Sequence, residues 1–241
     1  MSKATNEYEW WPSLARPWRI NRFGDTKPRM NAGINQGNVS YTQADRLLAY
    51  LRIYGMARLA ELRAEGITAA TVSRLERKGA IARLSRGIYQ LPDVALDQHH
   101  SLAEVAKRVP KGVICLVSAL AFHGLTDQMP RRVQVAIGRK SWASRGEGTP
   151  LQVVRYADDR LVNDVEVHEV EGVAIQVFSI ARSLADVFEP RRRVSREVAL
   201  QALREAVRRR MATPAELAAQ AQAAGVWRVM APYLEALSLD G

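Results

Sequence analysis

Residues 42–92 contain three amphipathic helical segments followed by two short apolar strands, and glycines separate most of these segments. This pattern constrains the fold more than any other feature, because each glycine ends one stretch of regularly spaced apolar residues and lets the chain change direction. The predicted segments are a helix from Thr42 to Gly55, a helix over 57–65, a helix from Thr68 to about Lys78, and strands over 80–84 and 87–91. Helix, helix, turn, helix and hairpin is the order of a winged helix-turn-helix, which predicts a DNA-binding domain over residues 40–95.

The third predicted helix has an apolar face and a small, basic face. Val72 and Leu75 recur at helical spacing on the apolar face. The opposite face combines small residues, which let the backbone approach a DNA groove, with arginines, which bind guanine edges and phosphates. The predicted DNA-binding residues on this helix and on the hairpin are Thr68, Ala70, Thr71, Ser73, Arg74, Arg77, Lys78, Arg83 and Arg86. An exposed basic helix that binds protein is the alternative interpretation.

The overall charge favours the first interpretation. The chain carries a formal net charge of +10 and has a pI near 10.2. Such a balance is typical of proteins whose partner is a polyanion, most often a nucleic acid. Double-stranded DNA is therefore the predicted partner.

Residues 1–39 and 96–241 differ from this domain. Residues 1–39 hold six basic and three acidic residues, a net charge of +3, and they predict an irregular basic arm that either packs on the body or reaches along DNA. Residues 96–241 predict a mixed α/β domain with a C-terminal helical region, so the fold class is α+β. The predicted elements are helices over 101–108 and 113–122, strands over 133–137 and 151–156, a hairpin of 165–168 with 173–177, and helices over 181–188, 196–209, 214–224 and 226–237.

The lone cysteine and the hydropathy of the chain predict its cellular compartment. Cys115 has no intramolecular partner, and it lies in an apolar run where it behaves as a small buried hydrophobe. No apolar stretch approaches the roughly 20 residues that a membrane span needs. Residues 1–11 lack the pattern of a signal peptide. A cytoplasmic protein without membrane association is expected.

Several residues are candidates for chemistry, and none forms a complete site. Ser118 and His123 are five residues apart on one predicted helix, so their side chains face different directions. Cys115 with the histidines lacks the paired spacing of a zinc site. We therefore expect no catalytic residue, no metal and no cofactor.

An acidic run and two arginine runs each have more than one interpretation. The acidic run over 158–171 suggests a two-carboxylate nuclease, but no lysine follows Lys140, and a carboxylate-X-lysine core needs one. A solvated hairpin face is favoured there. The arginine runs 191–193 and 208–210 flank one predicted helix. They are either solvated surface or a second electropositive patch for DNA or an acidic partner.

Several blocks of sequence resemble one family. The segments over 57–68, 73–79 and 85–89 look like the winged-helix domain of AbiEi-type antitoxins, and the blocks over 115–126 and 178–188 resemble the second domain of that family. The resemblance covers roughly residues 43–210. It implies an antitoxin of a bacterial abortive-infection system, a phage-defence pair. Such a protein represses its own operon at inverted repeats, with a possible homodimer on DNA, and counteracts a nucleotidyltransferase-like toxin directly or indirectly.

Two alternatives stay open beside the antitoxin. The first is a stand-alone transcriptional regulator whose second domain senses a ligand or a partner. The second is a nuclease acting on DNA that the winged helix delivers, for which we expect no activity.

Overall fold

The computed structural model describes residues 41–141, 146–192 and 194–239. The predicted arm over 1–39 lies outside these residues. The described part is a mixture of helices and two β-sheets, which confirms the α+β class. Within it, no helix is both long enough and apolar enough to span a bilayer.

The first part of the described chain contains three helices and a small sheet. Its elements in chain order are α1 Gln43–Tyr54, β1 Met56–Arg58, α2 Leu59–Ala64, α3 Ala69–Arg77, β2 Ala82–Ser85 and β3 Ile88–Gln90. The three strands are antiparallel, with β3 between β1 and β2. This order supports the winged helix-turn-helix interpretation, with β1 as an additional strand.

Strand β1 corrects the predicted second helix, which begins at Leu59 and not at Ala57. Met56, Ala57 and Arg58 pair with Gln90, Tyr89 and Ile88 of β3. The paired residues are 30 to 34 positions apart in the sequence. Local periodicity over so few residues cannot report such pairing, and the ladder hydrogen bonds override the helical preference.

The helix starts follow the capping rules read from the sequence. The Thr42 hydroxyl accepts a hydrogen bond from the Asp45 backbone N–H, and the Asp45 carboxylate accepts one from the Thr42 backbone N–H. The Thr42 hydroxyl also lies 2.7 Å from the Asp45 carboxylate, and this hydrogen bond, together with the one from the Thr42 backbone N–H, lowers the pKa of Asp45. Thr68 caps α3 in the same manner, by accepting from the backbone N–H of Thr71.

The second sheet has five strands and is covered by helices. Its strands are β4 Val113–Ile114, β5 Val133–Gly138, β6 Leu151–Tyr156, β7 Val165–Val170 and β8 Val173–Phe178, in the order β6-β5-β4-β8-β7. Strand β5 is parallel to β6, β4 is parallel to β8, and the other neighbours are antiparallel. The helices are α4 His100–Arg108, α5 Leu116–Phe122, α6 Ile180–Val187, α7 Arg196–Arg208, α8 Pro214–Ala223 and α9 Trp227–Leu239.

The single helix predicted over 113–122 is wrong in its first part. Val113 and Ile114 form the central strand β4, and Ile114 pairs with both Val135 of β5 and Val177 of β8. A short apolar run is compatible with a buried strand or a buried helix, so its sequence does not decide between them. Leu116, with φ 52°, lies at the sharp turn from strand into helix.

Two apolar cores lie against the second sheet. One joins the sheet to α5–α9 and includes Leu120, Phe178, Leu184 and Leu203. The other joins it to α4 and contains Met56 of β1 together with Ile114, Val135 and Ile175. The described residues group as one compact unit. The predicted domain boundary at residue 95 stays a prediction.

Candidate nucleic-acid interface

Helix α3 presents a small, basic face on the surface. Val72 and Leu75 are 1% and 7% exposed and pack inward. Ala70, Ser73, Arg74 and Arg77 are exposed on the opposite side, as the helical spacing predicts, and Lys78 is exposed at the end of the helix. The Arg77 Nε donates to the Ser73 carbonyl oxygen at 3.4 Å, so the guanidinium lies along the helix.

The two threonines at the start of α3 both donate hydrogen bonds to Gln43. Thr71 is 7% exposed, and its hydroxyl donates to the side-chain Oε1 of Gln43 at 2.9 Å. Thr68 is exposed, and its hydroxyl donates to the same oxygen at 3.0 Å. Thr71 therefore supports α3 from beneath, whereas Thr68 lies at the edge of the exposed face.

Sequence reasoning missed Gln43, the residue that receives these bonds. A polar residue in the first turn of an N-terminal helix carries no distinctive signal, because such positions are usually solvated. Only contacts between residues 25 and 28 positions apart reveal its role.

The β2–β3 hairpin adds two arginines beside α3. Arg86 is exposed at the turn, which Gly87 closes with a φ of 75°. Arg83 is exposed on β2, where the register shifts between Arg83 and Ser85. Its Nη2 lies 3.3 Å from the Glu147 carboxylate, and its Nε donates to the Ser85 carbonyl oxygen.

The combined surface of α3 and the hairpin suits a polyanion. Its exposed cations are Arg74, Arg77, Lys78, Arg83 and Arg86. Arginine guanidinium groups form paired hydrogen bonds with phosphates and guanine edges, and small side chains at Ala70 and Ser73 leave room for a groove wall. We call this set of exposed residues, together with Ala70 and Ser73, the α3–hairpin surface.

Helix α4 contacts both α2 and the loop that carries Glu147. The Lys107 Nζ lies 2.8 Å from a Glu61 carboxylate oxygen, and the two side chains are 6% and 18% exposed. The Glu104 carboxylate accepts hydrogen bonds from the backbone N–H and the hydroxyl of Thr149. The loop that carries Glu147 is thereby fixed beside the hairpin.

The β7–β8 turn anchors the end of α1. The Glu171 carboxylate accepts from the Asp97 backbone N–H at 2.7 Å and lies 2.8 Å from His100 Nδ1. Gly55 has a φ of 63°, and a Cβ there would lie 1.8 Å from the Glu171 carbonyl oxygen. Only glycine permits this close approach.

The residues considered for catalysis have structural partners. The Ser118 hydroxyl accepts from the buried Gln134 backbone N–H at 2.9 Å. The His123 Nε2 lies 2.8 Å from the Phe178 carbonyl oxygen, and burial lowers the pKa of His123. Burial raises the pKa of the Cys115 thiol. Across the described residues, no group of three or more histidine, cysteine, aspartate or glutamate side chains could hold a metal ion.

Most of the two arginine runs also make internal contacts. Arg191 and Arg192 donate to Glu189, and Arg192 lies over the Tyr156 ring at 3.8 Å. In the second run, Arg208 pairs with Glu205, and Arg209 donates to the Gly124 carbonyl oxygen. Arg193 lies outside the described residues. These contacts give the runs a structural role, and the alternative of a second electropositive patch stays a prediction.

Comparison with known proteins finds one family. Residues 45–92 match the family described as "Transcriptional regulator, AbiEi antitoxin". The match confirms the resemblance to AbiEi-type antitoxins for this segment, which contains α1 except its first two residues, together with α2, α3 and the hairpin. The blocks over 115–126 and 178–188 lie outside the matched residues, so their resemblance stays a prediction.

Other comparisons add little. No curated protein matches the chain. The crystal structure of RV2827C protein from Mycobacterium tuberculosis is similar at 14% sequence identity, with a TM-score of 0.43 over 75% of this chain and 80% of that chain. A TM-score of this size does not establish a common fold.

Proposed function

We propose, from the similarity of residues 45–92 to regulators of the AbiEi antitoxin type, that the chain is a DNA-binding transcriptional regulator and antitoxin. Helix α3 enters the major groove, where Arg74 and Arg77 bind base edges and Ala70 and Ser73 allow close approach. Arg83 and Arg86 of the hairpin bind phosphates, with Thr68 and Lys78 at the flanks. The observation that carries the proposal is the exposed α3–hairpin surface, which combines small residues with cations.

The DNA site follows from the geometry of such domains. Two copies of the chain bind an inverted repeat, and the half-sites are one helical turn or a multiple of it apart. The repeat lies in the promoter of the chain's own operon, so binding represses transcription. Residues 96–241 counteract a nucleotidyltransferase-like toxin, directly or indirectly. In this proposed function the chain acts by binding and performs no catalytic step.

Replacement of both Arg74 and Arg77 by alanine tests the DNA-binding part. Both side chains are exposed, so the fold is retained while the base contacts are lost. Each good arginine–base pair contributes about 1–3 kcal/mol of discrimination, so the loss of both contacts lowers the affinity for each half-site of the operator at least ~30-fold. The measurement is the Kd for a duplex mapped by footprinting upstream of the chain's own reading frame.

The matched control replaces Arg204 and Arg228 with alanine. These arginines are exposed on α7 and α9, and their loss changes the net charge by the same amount. The control variant keeps the wild-type affinity within about threefold, since only long-range electrostatics change. Equal affinity of the Arg74/Arg77 variant and the wild type would disprove the assigned contact face.

The antitoxin part has its own test. A neighbouring reading frame whose product is toxic alone, and harmless with this chain, supports the antitoxin. A regulated promoter without such a neighbour favours the stand-alone regulator with a sensing second domain.

A further inference from the structure

A single amide oxygen on α1 holds the start of α3. The Oε1 of Gln43 accepts hydrogen bonds from the Thr68 backbone N–H at 3.1 Å, from the Thr68 hydroxyl at 3.0 Å and from the Thr71 hydroxyl at 2.9 Å. Gln43 is the first residue of α1, and Thr68 is the N-cap of α3. The contact therefore ties together the first turns of two helices that are distant in the sequence.

One helical turn further along α1, Arg46 contacts the other end of the same connection. Its Nη1 donates to the Glu65 carbonyl oxygen at 3.5 Å, at the C-cap of α2. A Cβ on Gly66 would lie 3.9 Å from the same guanidinium. The turn between α2 and α3 is thus held at both ends by side chains on one face of α1.

A small change in the direction of α3 would displace its arginines. Arg74 and Arg77 are six and nine residues beyond Thr68, which places them about 9 and 14 Å along the helix axis. A tilt of roughly 10° about the N-terminus would move Arg77 by about 2 Å. Such a displacement exceeds the tolerance of a hydrogen bond to a base edge.

We propose that Gln43 is the positioning residue of the DNA-reading helix, because its amide oxygen fixes the angle at which α3 presents Arg74 and Arg77 to the groove. This inference rests on the proposed function. Phosphate contacts tolerate displacement, whereas base contacts do not. Gln43 therefore controls the ratio of specific to non-specific DNA affinity more than the affinity for DNA in general.

Two substitutions at Gln43 separate positioning from charge. Gln43→Ala removes the acceptor, so α3 loses its anchor. Gln43→Glu keeps an oxygen acceptor for all three donors, and its negative charge weakens binding to every duplex by a similar factor. A positioning role predicts that the ratio of specific to non-specific affinity falls in Gln43→Ala and is retained in Gln43→Glu.

The experiment uses the full chain and two duplexes of equal length, the footprinted operator and a scrambled sequence. We expect Gln43→Ala to lower the ratio of operator to scrambled affinity by about tenfold or more, which is the loss of one base contact. We expect Gln43→Glu to keep the ratio within about threefold. Gln222→Ala, at an exposed position on α8, is the control and leaves the ratio unchanged. An unchanged ratio in Gln43→Ala, or an equal loss in Gln43→Glu, overturns the proposal.

Thr71→Val provides a second variant that leaves the exposed face intact. It removes one of the three donors from a buried position, so the ratio falls in the same direction by a smaller factor. If Gln43→Ala lowers the ratio and Thr71→Val does not, the two hydrogen bonds from Thr68 are sufficient to hold α3. That result still supports the proposal for Gln43.

Amide hydrogen exchange without DNA distinguishes failure of the anchor from failure of the proposed function. Exchange of the Thr68 N–H accelerates in Gln43→Ala and stays slow in Gln43→Glu, because the carboxylate still accepts its hydrogen bond. Unchanged exchange in Gln43→Ala overturns the anchor. If exchange accelerates in Gln43→Ala but the wild-type chain binds the operator and the scrambled duplex equally well, the proposed function is overturned and the anchor is retained.

Discussion

His123 illustrates how single polar residues stabilise this protein. It follows the last residue of α5, packs against the rings of Phe122 and His168, and reaches the Phe178 carbonyl oxygen at 2.8 Å. Burial lowers its pKa, an effect that the carbonyl contact and Glu166 partly oppose. The folded protein therefore binds the proton of this imidazole less readily than the unfolded chain does.

The pH dependence of stability follows from this shift. Above the unfolded pKa of about 6.5 both states are neutral at His123, whereas below it the unfolded chain binds a proton first. The free energy of unfolding therefore decreases as the pH falls from about 7.5 to 5.5, and His123→Gln reduces that decrease. Urea unfolding at the two pH values measures the effect.

A control at the same carbonyl isolates the titration. The Ser183 hydroxyl also donates to the Phe178 carbonyl oxygen, at 3.2 Å. Ser183→Ala removes this hydrogen bond without removing a titratable group, so it lowers stability equally at both pH values. An identical pH slope in His123→Gln and the wild type would contradict the assignment.

At the scale of elements, the β2–β3 hairpin is constrained by a loop from the second sheet. Glu147 pairs with Arg83, and a Cβ on Gly148 would lie 2.8 Å from the Ser85 Cβ. The Glu147 side chain is 75% exposed and that of Arg83 39% exposed, so the pair itself contributes little stability. Its consequence is that Arg83 has a protein partner that competes with a DNA phosphate.

We expect Glu147→Gln to tighten DNA binding about two- to fivefold, because Arg83 no longer exchanges a carboxylate for a phosphate. The measurement is the Kd for the operator duplex. Glu235→Gln, at an exposed position on α9, removes the same charge and is the control. In an Arg83→Ala background, Glu147→Gln changes the Kd no more than the Glu235→Gln control does. A larger effect of Glu147→Gln in that background would exclude competition for Arg83.

At the scale of the whole molecule, the first and second sheets share an apolar core. Met56 of β1 is fully buried among residues of α4, β5 and β8. The nearly buried Lys107–Glu61 pair and the Glu171 contacts join the same parts of the chain. Shared burial of this kind couples the unfolding of both sheets.

We expect Met56→Ala to destabilise both sheets together by about 2–5 kcal/mol, the cost of a buried methionine cavity. Hydrogen exchange of peptides that cover β3 and β5 measures the two sheets separately. Met129→Ala, at a residue that is 67% exposed, changes stability by less than about 0.5 kcal/mol. Protection lost in β3 alone would show that the two sheets unfold independently.

Elements with a long or strictly alternating pattern were predictable. Helix α1, the β7–β8 hairpin and the helices after Ser179 follow from apolar spacing and from caps such as Thr42, Ser195 and Thr213. The exposed positions Ala70, Ser73, Arg74 and Arg77 of α3 follow in the same way, whereas Thr71 is buried. Strands β1 and β4 did not follow, because each is short and is defined by hydrogen bonds to distant strands.

The sequence by itself determined that Val72 and Leu75 of α3 face inward and that Arg74 and Arg77 remain exposed, since helical periodicity is a local property. The burial of Thr71, which the sequence assigned to the DNA-binding face, was decided by its contact with Gln43. Only the tertiary structure decided how that helix is held. The Gln43 oxygen, the Arg83–Glu147 pair and the Met56 core contact each join residues that are far apart in the chain. Such contacts depend on how elements pack in three dimensions, and no short-range pattern in the sequence encodes them.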